Sequence, residues 1–489
     1  MSALASLLAA GATAAAHAPW PRASVDHARW RDACGALADG TLSLLGLWAD
    51  AGLVHMALLD GGAVAVLSCA AIDGAYPSVA AQHPPAMRLE RAIAELHGLV
   101  PTGLPDTRKW LDHGTWDGAL PAPYPFLPVE GEGLHQIPVG PVHAGIIEPG
   151  HFRFTAQGEA VVRLEQRLGY VHKGIERLVA GMTRDRAGVL AGRVSGDSTV
   201  AYAIAFARAA EAALGTEAPP RAAALRGVMA ELERIANHLG DFGAICNDAS
   251  FALIHAHCAV LRERVLRAAD AAFGHRLMRD QVVPGGVARD LDAAGAAAIR
   301  EALSAIAAML PRLSRIYDDT ASLQDRTVST GIVRPALAEK FAAGGHVGRA
   351  SGRAFDSRRT LAYPPYDRLR FEVPVLAEGD VNARVWVRIR EIEQSSAMIA
   401  QLLDALPAGS LRTVLPDAGG EGMAIVESFR GDVLVWLRLD EAGRVARCHF
   451  RDPSWFQWPL LEAAIEGNIV ADFPLCNKSF NCSYAGHDL

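Results

Sequence analysis

Apolar side chains recur at helical spacing in four stretches of this chain, and this pattern constrains the fold more than any other feature. Side chains that repeat every three or four residues lie on one face of a helix, which must be buried against other elements. The four stretches run over residues 164–178, 225–239, 299–310 and 389–403. The pattern predicts a large helical unit from about residue 160 onward.

Shorter runs on either side of this unit predict β structure. Residues 54–59 and 63–67 indicate two strands joined by Asp60-Gly61-Gly62, a turn sequence, and residues 87–100 indicate a helix. Residues 423–428 and 433–437 indicate two more strands, with a turn at 440–443. We therefore predict a small α+β N-terminal domain, followed by a large, mainly α-helical domain with a small β appendage.

A proline-rich segment, residues 101–135, lies between these two predicted domains. Proline-rich chain is stiff and extended, so we expect this segment to wrap along the helical unit instead of swinging freely.

Composition excludes several classes of protein. Hydrophobic residues make up 51% of the 489, enough for a large core, and the 47 basic and 54 acidic residues give a net charge of −7, which argues against nucleic-acid binding. Seven cysteines without a Cys-x-x-Cys pair are typical of a reducing compartment. No uncharged apolar run reaches the length of a membrane span, and the N-terminus lacks a basic signal region. We expect a cytoplasmic protein that meets a membrane only through partners.

Two polar clusters stand in otherwise apolar sequence. Residues 140–154 hold His143, Glu148 and His151 in a glycine-rich stretch, where burial could bring their pKa values toward neutrality for proton relay. The alternative is a turn whose polar side chains bind backbone groups. Residues 231–241 form the other cluster, which on a helix places polar side chains on one side and has a solvated charged face as its alternative.

These segments together resemble the large subunit of membrane-bound, energy-converting nickel-iron hydrogenases of the formate hydrogenlyase type. That family shares ancestry with the two peripheral-arm subunits of respiratory complex I that lie at and beside the quinone site. Residues 20–130 resemble the smaller of those subunits and residues 136–489 the larger. Further matching stretches are 76–79, 88–93, 169–177, 274–276, 284–287, 379–384 and 472–474.

The resemblance implies that two Cys-x-x-Cys pairs would hold nickel and iron, because such a site needs soft thiolate ligands. The matching positions here are Ser195, Ser198, Ser483 and Gly486. We therefore expect no metal to be bound by this chain. Catalytic hydrogenases also carry a C-terminal extension that is cut after metal insertion, and Leu489 falls about where that cut would lie.

The match to the quinone loop of complex I is partial. Gly-Pro-x-His corresponds to residues 140–143, but the second histidine of that loop is Ile147 here, and the quinone tyrosine aligns at about Arg193. Quinone is thus a candidate ligand whose site is not carried over whole.

The resemblance also implies that this chain keeps the polar residues that surround the metal site in the hydrogenases. Glu148 matches the glutamate that passes protons to and from nickel, and we expect it to lie buried beside Asp197 and His487 as a coupled, titrating set. The full candidate proton relay or ligand cavity comprises His143, Glu148, His151, Asp197 and His487. The vacated metal positions and their neighbour, as candidate ligand-binding residues, are Ser195, Ser198, Ser483 and Asp488.

The resemblance implies a peripheral subunit of a membrane-bound oxidoreductase, coupling electron transfer from a partner to ion translocation. The expected partners are a small iron–sulfur subunit with a 4Fe-4S cluster and antiporter-like membrane subunits, at the inner face of the cell membrane. The alternative is a non-catalytic scaffold subunit of such a complex. An active hydrogenase is disfavoured by the missing thiolates.

Overall fold

The computed structural model describes residues 2–9, 11–14, 16–116, 118, 123–143 and 147–489. The helices are α1 (Ala3–Ala9), α2 (His27–Ala38), α3 (Met87–His97), α4 (Ile175–Val179), α5 (Arg184–Ala191), α6 (Thr199–Ala213), α7 (Pro220–Asp248), α8 (Ala252–Phe273), α9 (Ala293–Asp319), α10 (Ala321–Thr327), α11 (Pro335–Lys340), α12 (Gly345–Arg349), α13 (Ser357–Thr360), α14 (Val381–Asp404), α15 (Ser454–Ile465), α16 (Phe473–Phe480) and α17 (Tyr484–Asp488). The strands are β1 (Ala12–Ala14), β2 (His17–Ala18), β3 (Arg22–Val25), β4 (Ser43–Asp50), β5 (Leu53–Asp60), β6 (Ala63–Ala70), β7 (Ala75–Pro77), β8 (Val100–Thr102), β9 (Leu134–Val139), β10 (His151–Gln157), β11 (Ala160–Arg167), β12 (Val282–Val283), β13 (Gly286–Val287), β14 (Gly420–Glu427), β15 (Asp432–Leu439) and β16 (Val445–Arg451).

The N-terminal part of the chain forms a five-stranded sheet in the order β1-β3-β6-β5-β4. β5 and β6 are antiparallel and meet at the predicted turn, where Gly61 has a φ of +61°. The predicted helix from residue 87 ends at His97, before residue 100, because Gly98 takes a left-handed conformation that terminates it. The prediction of α+β structure in this region is therefore confirmed, with a shorter helix.

Three of the four apolar stripes are helical, in α7, α9 and α14, which together with α8 form the helical unit. The first stripe, 164–178, is not a helix: β11 ends at Arg167 and the short α4 starts at Ile175. Gly169 and Gly174, both with positive φ, interrupt the chain between them, so the apolar spacing there spans a strand and a turn. The predicted β appendage is the antiparallel run β14-β15-β16, joined at its edge by β2 from the N-terminal part.

The proline-rich segment packs against both parts where it is described, although residues 117 and 119–122 lie outside the described residues. Trp110 and Leu111 are buried in one apolar cluster with Trp30 of α2 and Trp455 of α15. Arg167 at the end of β11 donates to the Asp112 carbonyl oxygen at 3.0 Å. The N-terminal sheet and the C-terminal elements thus share a continuous core.

Among the described residues, α9 is long and apolar enough to cross a bilayer by length and composition. The core helix of a soluble protein can have the same length and composition. α9 turns Ile299, Ile306 and Leu310 into the protein core.

Candidate functional site

Two serines far apart in sequence meet where α6 and α17 begin. The Oγ atoms of Ser195 and Ser483 lie 2.9 Å apart, and Ser195 Oγ donates to Asp197 Oδ1 at 2.7 Å. Ser198, the N-cap residue of α6, donates to the same Asp197 oxygen at 3.3 Å. Ser483 also caps α17, because its Oγ accepts the Gly486 amide at 2.9 Å. The predicted convergence of the two segments is therefore present.

A guanidinium completes this group. Arg430, in the turn between β14 and β15, is 1% exposed and donates to Asp197 Oδ2 at 2.6 Å and to Ser198 Oγ at 3.2 Å. Desolvation alone would raise the pKa of Asp197, but the charge and hydrogen bonds of Arg430 outweigh it and hold that pKa below its usual value. We call Ser195, Asp197, Ser198, Ser483 and Arg430 the serine cluster.

Gly486 lies beside the serine cluster in tightly filled space. A Cβ added to it would stand 2.3 Å from Asp452 Oδ2 and 3.0 Å from Ser483 Oγ. Asp452 Oδ2 also accepts the Tyr202 hydroxyl at 2.6 Å, and Asp452 is fully buried. No side chain larger than glycine fits at position 486 without moving this carboxylate.

His487 and Asp488 hold the C-terminal turn in place. His487 Nδ1 lies 2.8 Å from Asp488 Oδ1, and its Nε2 accepts the Trp110 indole N–H at 3.3 Å. The His487 ring also stacks on Trp455 with centroids 4.1 Å apart, and burial lowers its pKa. Asp488 Oδ2 accepts the Val171 amide at 3.0 Å. Both ring nitrogens of His487 are thus used by partners outside the serine cluster.

The glycine-rich loop closes on itself, with residues 144–146 outside the described part. His143 Nε2 lies 2.8 Å from the Gly150 carbonyl oxygen, and His151 Nδ1 lies 3.1 Å from that of Gly140. Both contacts fit the alternative in which polar side chains of a turn bind backbone groups. Burial lowers the pKa of His151.

Glu148 is exposed, so the prediction that it lies buried is wrong. Its Oε2 accepts the Ala485 amide at 2.9 Å, which ties the loop to the start of α17. The Glu148 carboxylate thus contacts the backbone of the C-terminal turn, and it also lies within electrostatic reach of Lys173. Glu148, Asp197 and His487 contact different partners. Their action as one coupled set stays a prediction.

One further carboxyl group near the serine cluster is absent from the sequence-based set. Glu233 on α7 is 7% exposed, and its two oxygens accept the amides of Val200 (2.7 Å) and Ala201 (3.1 Å) at the start of α6. Burial raises the pKa of Glu233 to about 8. Glu233 and Asp197 line one cavity of about 200 Å³. Glu233 belongs to the α7 polar cluster seen in the sequence, but its helical position alone did not indicate burial.

The polar side of α7 is buried as a whole, so the alternative of a solvated charged face is wrong. Arg234, His238 and Asp241 are at most 3% exposed. His238 Nε2 lies 2.7 Å from Glu391 Oε2 on α14, and Arg388 of the same helix donates to Asp241 Oδ2 at 3.2 Å. These pairs compensate charges that would otherwise be costly to bury.

This network is connected to the serine cluster. The Asn481 side-chain amide donates to Asp241 Oδ1 at 2.9 Å, and the backbone carbonyl oxygen of Asn481 accepts from Arg430 Nε. From Glu391 the network continues to Arg349, 2.7 Å away, and then to Glu427 at 2.8 Å. A connected set of ionisable and polar groups therefore leads from the serine cluster into the helical unit.

Comparison with known proteins identifies similar chains. The family model described as "Respiratory-chain NADH dehydrogenase, 49 Kd subunit" matches residues 251–417 and 412–488. Formate hydrogenlyase subunit 5 of Escherichia coli is 31% identical over 438 residues, which cover 84% of this chain and 77% of that protein. An NADH-quinone oxidoreductase subunit of Syntrophobacter fumaroxidans is 31% identical over 355 residues, covering 72% of this chain and 95% of the relative.

Among solved structures, a chain of the membrane-bound sulfane sulfur reductase, described as an archaeal respiratory membrane complex, is similar in fold. The TM-score is 0.69 at 26% identity, and the match covers 74% of this chain and all of that one. The resemblance inferred from the sequence is confirmed by these relatives.

Proposed function

This chain belongs to the family of the 49-kDa subunit of respiratory-chain NADH dehydrogenase and its membrane-bound hydrogenase relatives, and from that premise we propose that it is a redox-coupling subunit without a nickel-iron centre. In this proposal an iron–sulfur partner transfers electrons to a separate small-molecule acceptor, for which a quinone is the candidate, and the acceptor is reduced near the serine cluster. Protonation changes in the connected polar network then couple that transfer to ion movement in a membrane partner.

The observation that carries the proposal is the chemistry of the serine cluster. A nickel-iron centre requires four thiolates, and Ser195, Ser198, Ser483 and Gly486 offer three neutral hydroxyls and no side-chain donor at the fourth position. The guanidinium of Arg430 also donates to Ser198, and the carboxylate of Asp452 lies against Gly486. The residues present do not fit a nickel-iron centre.

The two nearest cysteines, Cys476 and Cys482, do not stand at any of the four matching ligand positions. Burial raises the pKa of Cys476 to about 11 and raises that of Cys482 further, so both are protonated thiols at neutral pH. Among the described residues, no three His, Cys, Asp or Glu side chains form a group that could hold a metal ion.

A quinone ligand is compatible with the family, because its complex I members form a quinone site. Two positions of this chain differ from the residues of that site. Ile147 stands for the second loop histidine and is 54% exposed. Arg193, at the aligned tyrosine position, forms an ion pair with Asp280 at 2.8 Å. We therefore leave the electron acceptor open. The sulfane sulfur reductase relative supports the idea that a chain of this fold can serve a complex that acts on something other than hydrogen.

The partners follow from the same family membership. We propose a small iron–sulfur subunit with a 4Fe-4S cluster as the electron donor, and antiporter-like membrane subunits as the ion-moving part. The complex would place this chain on the cytoplasmic face of the membrane. The alternative is a scaffold with the same interfaces and no role in coupling.

The substitution Asp197→Asn distinguishes the coupling role from the scaffold role. It keeps the shape of the side chain and removes the negative charge beside Arg430. In membrane vesicles of the assembled complex, supplied with a chemical reductant of the iron–sulfur partner and an electron acceptor, we expect ion transport to fall, because the variant removes the ionised carboxylate that balances the buried charge of Arg430. Asp185→Asn is the matched control, since Asp185 is an exposed aspartate paired with Arg412 on the surface. Unchanged transport in assembled Asp197→Asn complex would establish the scaffold alternative.

A further inference from the structure

A second cavity, of about 370 Å³, lies where α6 and α7 meet the segment 363–366. β2 and β14 complete its wall with Ala18 and Val426. Its volume is within the range of pockets that enclose small molecules, roughly 300–1,000 Å³. None of the residues of the serine cluster lines it. Arg208, which does line it, follows Ser198 on α6 by about 15 Å along the helix.

Most polar side chains in this wall have partners within the fold. Glu211 forms an ion pair with Arg226 at 2.6 Å. The Tyr363 hydroxyl accepts a backbone amide of β14 at 3.0 Å, and the Tyr366 hydroxyl donates to a carboxylate of α7 at 2.6 Å. The Thr216 hydroxyl donates to a carbonyl oxygen at the end of α6 at 3.2 Å. A ligand would therefore meet these groups already bonded.

Arg208 is the cation of this cavity. Its side chain has neither an ion pair nor a hydrogen bond within the described part of the chain, and its buried Nε lacks a partner. The guanidinium lies over the ring of Tyr363, with Cζ 4.6 Å from the ring centroid, and such stacking restrains its plane. Burial lowers the pKa of Arg208, but an arginine keeps its charge at neutral pH. A guanidinium with free N–H groups is suited to a planar carboxylate, which it can bind through two parallel hydrogen bonds.

Glu217 is the other charged side chain of the wall to be considered. It lies in the loop between α6 and α7, where it is exposed and within electrostatic reach of Arg208. Solvent strongly screens an exposed charge of this kind. Glu217 therefore offsets only part of the positive charge of Arg208, and removing its charge should strengthen the binding of an anion.

The rest of the wall is apolar. It consists of five alanines, three prolines, two glycines, Ile204 and Val426. Small side chains of this kind leave room for a compact apolar body, whose burial is driven by removal of apolar surface from water. The prolines and the rings of Tyr363 and Tyr366 present flat faces, which suit an aromatic ring.

We propose that this cavity binds a small aromatic carboxylate, with its ring against the apolar wall and its carboxylate on Arg208. The unpaired guanidinium matches a single planar anion, because the deeper polar groups around it are already bonded. The apolar remainder of the wall favours an anion with an apolar body over a free inorganic one. The site does not rest on the redox role proposed above, because no residue of the serine cluster contributes to it.

The test is calorimetric titration of the purified complex that contains the full chain, at neutral pH, with benzoate as the probe. Benzoate should bind with a Kd below about 1 mM. Benzamide, which has nearly the same shape without the charge, should bind about ten-fold more weakly, and acetate, which lacks the ring, should also bind more weakly. Absence of benzoate binding, or equal binding of benzamide, would overturn the proposal. Inorganic phosphate that binds as tightly as benzoate would overturn the ligand class.

Two charge variants test the contact with the carboxylate. Arg208→Met removes the cation and should weaken benzoate binding about ten-fold or more, with Arg186→Met, at an exposed position of α5, as the control. Glu217→Gln changes an exposed loop residue and should strengthen benzoate binding about two-fold. Wild-type affinity in Arg208→Met, or affinity that does not rise in Glu217→Gln, would overturn the assignment of the carboxylate to Arg208.

A third variant tests the location of the ring. Ala223→Leu fills part of the cavity and should weaken benzoate binding about ten-fold, whereas Ala296→Leu, at the same fourth position of α9, should not. Both alanines are half-buried, so the two substitutions are comparable in their effect on the fold. Wild-type benzoate binding by Ala223→Leu would overturn the proposed location.

Discussion

Replacing Glu233 by glutamine should change how the stability of this protein depends on pH. The folded carboxyl group has a pKa of about 8 against an ordinary value of 4.5, because burial penalises its charged form. Between those two pH values the folded chain holds a proton at Glu233 that the unfolded chain has released. The free energy of unfolding of the wild type therefore falls as pH rises, by about 1.4 kcal/mol per pH unit from this group.

Glutamine does not titrate, so the variant lacks this contribution. At pH 5 the variant should be less stable by about 1 kcal/mol, because its amide group has one acceptor oxygen for the two backbone amides of Val200 and Ala201. From pH 5 to pH 8 the wild type loses up to about 4 kcal/mol that the variant keeps. At pH 8 the variant should thus be more stable by about 3 kcal/mol.

The assay is urea unfolding of both proteins at pH 5, 6, 7 and 8, followed by tryptophan fluorescence. Only the difference between the two is interpreted, since other groups titrate equally in both. Glu301→Gln, at an exposed position of α9, controls for the substitution itself and should change little. A difference between wild type and Glu233→Gln that stays constant across this pH range would refute the reasoning.

Four more outcomes follow from the structure. Elemental analysis of the purified complex should find no stoichiometric nickel, and hydrogen assays no activity; one nickel per chain would contradict the proposal. Arg430→Met should destabilise the protein by about 2 kcal/mol, measured by denaturant unfolding, because it leaves Asp197 without its cation, and adding Asp197→Asn should recover part of that loss. Glu148→Gln should leave assembly of the complex intact, because Glu148 is exposed. If Glu148 relays protons, ion transport by this variant should fail. Normal ion transport across the pH range would show that Glu148 is not part of the relay. Limited proteolysis should not promptly release a stable fragment ending near residue 130, because Trp110 and Leu111 are buried in the shared core.

The main elements of the fold follow from local sequence patterns. The stripes of α7, α9 and α14 and the strands β5, β6, β14 and β15 were predictable because their apolar residues repeat with the period of one regular structure. The prediction of a helix over 164–178 was wrong, because apolar residues at helical spacing can also occur by chance across a strand, a turn and a short helix. Two positive-φ glycines decided the backbone there, and a side chain at Gly169 would also meet the backbone carbonyl oxygens of Trp110 and Leu111.

For the candidate site, too, some features were predictable from the sequence and others were not. The sequence by itself determined which groups could be ligands: serine at 195, 198 and 483 and glycine at 486, a chemistry that no packing can convert to thiolates. Only the tertiary structure decided what surrounds them, since Arg430 and Glu233 reach this region from other elements. It also decided that Glu148 is exposed while the charged face of α7 is buried. Burial and charge pairing depend on which distant segments meet, and local residue spacing carries no information about that.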